Sequence, residues 1–115
     1  MTKFIQYFSP NMLHRTVPKA WAMFLDYYAK NSNGYQLALS TYDDVLGVLR
    51  RFLRERNYFY RIRPSNVVPN VWEGVVEGKA GDFHMARSFN KSEWSFEKVE
   101  STLIKWALSD IDKDL

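Results

Sequence analysis

Apolar side chains recur every third or fourth position in three stretches of this chain, and in several others they alternate. Val17, Ala20, Trp21, Phe24, Leu25 and Tyr28 share one face of a helix predicted over about 16–30. Thr16 is placed to cap it, Pro18 suits its first turn, and the run Asn31, Ser32, Asn33, Gly34 stops it. Val45, Leu46, Leu49, Phe52 and Leu53 form the stripe of a second helix over about 42–56, preceded by Thr41 and Asp44 in the spacing of a capping box. Asp43 and Asp44 open that helix and Arg50, Arg51, Arg54 and Arg56 lie toward its end, the order its dipole favours. Phe96, Val99, Leu103, Trp106 and Ala107 mark a third helix over about 95–109, with Ser95 as its cap and Glu97 and Glu100 early in it. The acidic tail 110–115 is expected to fray.

The strand signals are shorter. Lys3 to Phe8 is rich in aromatic and β-branched residues and ends at Ser9-Pro10; Tyr35 to Leu39 is a weaker candidate. Tyr58 to Arg63 alternates and ends at Pro64. Val71 to Glu77 and Asp82 to Phe89 flank a glycine-bounded connection, Gly78 to Gly81, which reads as a hairpin. The order β, α, weak β, α, β, β, β, α predicts an α+β domain. Its expected form is a mostly antiparallel sheet of four to five strands with three helices on one face, each helix burying a single stripe. Trp21, Phe24, Leu46, Leu49, Phe52, Val99, Leu103 and Trp106 are the expected core.

Composition supports one such domain over 1–115. A chain of 115 residues with 46% apolar and 17% aromatic side chains carries ample core material, which argues against disorder. The absence of cysteine removes disulfides, zinc–thiolate sites, iron–sulfur clusters and thiol nucleophiles together. The first ten residues show neither a signal-peptide apolar region nor a cleavage site, and no stretch approaches a bilayer span. A complete, cytoplasmic protein without a membrane segment is the expectation.

Charge changes the picture more. Residues 50–63 hold six arginines against one glutamate, whereas residues 64–115 hold nine acids against six bases. Arg50, Arg51 and Arg54 fall opposite the apolar stripe of the second helix; Arg61 and Arg63 share one strand face, with Tyr58 and Tyr60 on the other. Guanidinium groups beside aromatic rings suit nucleic acid, and the same fork grips carboxylates on an acidic protein. The plainer reading is a solvated helix face, with the strand arginines paired to Glu73, Glu77 or Glu100.

Other chemistry is thinly signalled. His84 lies two residues from Asp82 on one strand face and His14 sits in the loop before the first helix, an arrangement that would serve a metal-independent ribonuclease only if the fold assembled it. Gly74, Gly78 and Gly81 fall in or around the hairpin rather than before a helix, so no phosphate loop is present. Trp21 and Trp106 belong to helix stripes, while Trp72 and Trp94 stand among polar residues, either as lids on the core or as anchors for a partner. No motif implies a metal or a cofactor. The expected function is a small non-enzymatic binding protein, an inhibitor of the toxin-immunity or anti-defence kind from bacteria or phage. It would occlude a partner with an acidic surface through Arg50, Arg51, Arg54, Tyr58, Tyr60, Arg61 and Arg63, with Trp72 and Trp94 as further anchors. The alternative is a nucleic-acid-binding regulator using the same basic block.

Overall fold

The computed structural model describes residues 7–31, 40–78 and 83–115, with the backbone alone at 83 and 84. Its elements are α1 (Pro10–Thr16), α2 (Pro18–Asn31), α3 (Tyr42–Glu55), β1 (Phe59–Pro64), β2 (Val71–Glu77), β3 (Phe83–Asn90) and α4 (Phe96–Lys113). The chain is α+β, and among the described residues it has four helices and one antiparallel sheet in the order β1-β2-β3.

The expected four to five strands and three helices therefore become, among the described residues, three strands and four helices. The strand expected at Lys3 to Phe8 falls mostly outside the described residues, and its last two positions, Tyr7 and Phe8, are not extended ladder. The candidate at 35–39 lies wholly outside them. The added helix is α1, which Ser9 caps by accepting from the Met12 amide at 3.3 Å. A Ser-Pro pair ends a strand or opens a helix equally well, because proline's missing N–H is no loss in a first turn.

Inter-residue contacts divide the chain into two compact units. One comprises Met1–Arg56 with Leu108–Leu115, the other Asn57–Ala107. Helix α4 is continuous and contributes residues to both. Of the helices expected against the sheet, α4 is the one that shares its unit.

In the helical unit, α2 and α3 are joined through Phe24, whose ring meets Trp21 and Tyr28 on its own helix and Phe52 on α3 at a centroid distance of 5.4 Å. Leu46, Leu49 and Phe52 are buried, as the stripe requires. Thr16, expected to cap α2, instead ends α1 and donates its hydroxyl to the Met12 carbonyl at 2.8 Å. The first turn of α2 is capped from far away. Asp112 Oδ1 accepts from the Lys19 and Ala20 amides at 2.8 and 2.9 Å, and Lys19 Nζ donates to the Leu115 carbonyl. The tail expected to fray is thus helical to Lys113, with Ile111 buried.

In the sheet unit, β2 pairs with β1 and β3, Arg63 opposite Glu73 and Trp72 opposite Phe89. Alternation sends Tyr60, Ile62, Trp72, Gly74, Val76 and Phe89 to the face that α4 covers. Gly74 lets the helix come close: a Cβ there would lie 3.0 Å from Phe89 Cε2 and 3.1 Å from Leu103 Cδ1. Val99 and Leu103 are buried as expected, while Trp106 is only half-buried. Glu100 is also buried at 2% exposure, accepting from the Tyr60 hydroxyl at 2.8 Å.

Candidate binding surfaces

The arginine block divides at the boundary between the two units. Its helical part is built by α3, whose first turn Thr41 caps by accepting from the Asp44 amide at 3.2 Å. The apolar stripe turns inward, so Arg51 and Arg54 emerge on the far side, exposed and without an ion pair to any carboxylate among the described residues. Arg50, on the edge of the stripe, is half-buried and already engaged within the protein. Arg56 serves the helix end: it donates to the Phe52 carbonyl at 3.1 Å and lies 3.9 Å over the Phe52 ring, while Asn57 adopts the left-handed conformation common after a helix. Beside Phe52 stands Tyr27, whose phenol is held above its usual pKa by burial and by the charge and hydrogen bond of Glu55, against the opposing pull of Arg51 and Arg56.

The strand part is different. Arg61 binds Glu77 at 2.6 Å and Arg63 binds Glu73 at 3.4 Å, both across β1 and β2 on the face away from α4. Their charge is met within the fold. Tyr60 donates its hydroxyl to Glu100, and Tyr58 is half-buried and engaged within the protein. Of the residues expected to meet a partner, the structure leaves Arg51 and Arg54 without a carboxylate among the described residues, pairs the exposed Arg61 and Arg63 with Glu77 and Glu73, and engages Tyr60 with Glu100. An open depression of about 270 Å³ on the sheet is lined by the Arg63–Glu73 pair with Val75, Ala86 and Ser88 among others.

Trp72 and Trp94 are half-buried, and both carry cations. Trp72 meets Phe96 edge-on at 5.7 Å and has the Lys91 ammonium 4.3 Å above its ring. Trp94 meets Phe89 at 4.8 Å and lies within 5.3 Å of the Arg87 guanidinium and 4.7 Å of the Lys98 ammonium. They lid the aromatic edge of the core, and they also organise three basic side chains that sequence reasoning passed over. A signal was there for one of them: Arg87 and Phe89 share a strand face.

The chain matches no protein-family model, no curated protein and no solved structure. The site must therefore be read from its own chemistry.

His14 is exposed on α1 in the helical unit, whereas His84 belongs to β3 in the sheet unit, with Asp82 outside the described residues. Among the described residues no group of three or more His, Asp or Glu side chains could hold a metal ion, and no helix is long and apolar enough to cross a membrane. Among the exposed side chains, Arg51 and Arg54 have no ion pair to a carboxylate among the described residues, and a guanidinium fork suits carboxylates.

Proposed function

We propose that this chain is a small non-enzymatic binding protein that occludes an acidic surface on a partner protein, an inhibitor of the toxin-immunity or anti-defence kind from a bacterial or phage setting. The observation that carries the reading is the pair Arg51 and Arg54, one turn apart on the outer side of a well-capped helix and unmatched by carboxylates among the described residues. The helix fixes the spacing of the two Cα positions, so both arginines reach the same side, where their guanidinium groups can fork onto carboxylates. Occlusion needs only a stable scaffold and a complementary patch.

The test is capture from the native host by the tagged full chain, compared with Arg51→Glu/Arg54→Glu. The unmutated chain is expected to retain a specific acidic protein, with affinity that falls as salt is added. The double reversal is expected to weaken that binding by about tenfold or more. Both side chains lie off the core, so circular dichroism and melting temperature should stay close to those of the parent. A partner bound equally well by the folded double variant would overturn the assignment, and salt-sensitive capture of oligonucleotides in place of protein would transfer it to nucleic acid.

A further inference from the structure

The turn between β1 and β2 presents apolar side chains outward from a backbone that is tied down. Val67 is 89% exposed and Val68 51% exposed. Their amides both donate to Ser65 Oγ, at 3.2 and 3.0 Å, while Ser65 N donates to the Val71 carbonyl at 2.9 Å. Asn70, in the left-handed conformation, closes the turn, and its carbonyl accepts from the Lys91 amide at 2.9 Å. Val67 buries almost nothing in the isolated fold and Val68 only about half of its surface, yet the hydrogen-bonded turn preorganises both for a contact.

That turn lies at the same end of the sheet as the indole pair. Trp72 follows it directly on β2, opposite Phe89 on β3, and the chain leaves β3 through Lys91 and Trp94 to Phe96, which is 39% exposed. The end of the sheet thus combines two aliphatic prongs, two half-buried indoles and the cations Arg87, Lys91 and Lys98. None of the three cations has a carboxylate partner among the described residues, although Lys98 also reaches the Glu93 carbonyl at 3.4 Å. Glu93 and Glu97 are exposed in the same segment and form no ion pair with them. Tryptophan and arginine framed by apolar contacts is the composition of a binding hot spot.

We infer that this end of the sheet is a second docking surface, which takes a protein segment carrying aliphatic side chains interspersed with carboxylates. Val67 and Val68 meet the aliphatic groups, and Lys91, Lys98 and Arg87 meet the carboxylates. A single-stranded nucleic acid fits less well: base stacking needs open ring faces, whereas cations stand over both indoles, and phosphates offer the valines nothing. The surface rests on residues distinct from Arg51 and Arg54 and stands or falls independently of them.

The probe is a short synthetic peptide in which leucines alternate with glutamates, titrated into the full-length chain while the amide and indole signals are followed by NMR. The Trp72 and Trp94 indoles and the Val67 and Val68 amides should move, while the Trp21 indole stays in place. Lys91→Glu/Lys98→Glu and Val67→Ser/Val68→Ser should each raise the dissociation constant by about tenfold or more. Both variants alter exposed or half-exposed side chains, and unchanged circular dichroism establishes that each is folded. The proposal fails if the acidic peptide moves none of these signals, or if folded variants of both kinds bind it as the parent does. It fails equally if a leucine–lysine peptide or an oligothymidylate moves the same signals as strongly.

Discussion

Asp112 shows most directly how one side chain can govern a distant element. Its carboxylate receives the Lys19 and Ala20 amides, two of the donors that the first turn of α2 leaves without helical partners. Asp112→Ala is expected to cost about 0.5–2 kcal/mol, the ordinary cost of a lost cap, and to speed hydrogen exchange at the Lys19 and Ala20 amides ahead of those of α3. Equal acceleration in both helices would mean that Asp112 supports the fold generally. Local caps were legible in the sequence, because Ser95 and Thr41 each reach an amide only three residues away. Asp112 was not legible, since its acceptor role spans more than ninety positions. Thr16 had the right chemistry for the cap and the wrong place, ending α1.

Among the elements, the helices were easier to read than the sheet. A helix stripe repeats several times within one segment, so α2 and α3 emerged within a residue or two of their predicted bounds. A strand has fewer residues and its partners lie elsewhere in the chain. Even so, alternation placed Arg61 and Arg63 on one face and Tyr60 on the other, and the register of β1 with β2 then decided that Glu73 and Glu77 neutralise the arginines. The seat of α4 on the sheet depends on Gly74. Gly74→Ala should lower stability by about 1–3 kcal/mol, as overpacking does in a filled core, because the new methyl group would press on Phe89 and Leu103. Chemical denaturation of the variant measures the loss. A stability equal to that of the parent would show that Leu103 moves aside without cost.

Across the whole molecule, α4 runs unbroken from the sheet unit into the helical unit, so its hydrogen-bond ladder is shared by both. Ser109→Pro would remove a ladder bond and clash with the preceding turn near that boundary. The expected loss is about 3 kcal/mol or more, with the melting transition lowered when followed by far-ultraviolet circular dichroism. An unaltered transition would mean that the end of α4 adds nothing to the stability of the fold. The same division separates the arginine block: Arg51 and Arg54 remain outward on α3, while Arg61 and Arg63 are matched across the sheet. Periodicity by itself determined the α+β class, the three long helices, the antiparallel pair β2 and β3, and a core that includes Trp21, Phe24, Leu46, Leu49, Phe52, Val99 and Leu103, since these follow from the apolar pattern within each segment. Only the tertiary structure decided which cations are already paired, which indoles carry them and what caps α2. Those outcomes depend on groups far apart in the chain, and no local period records their meeting.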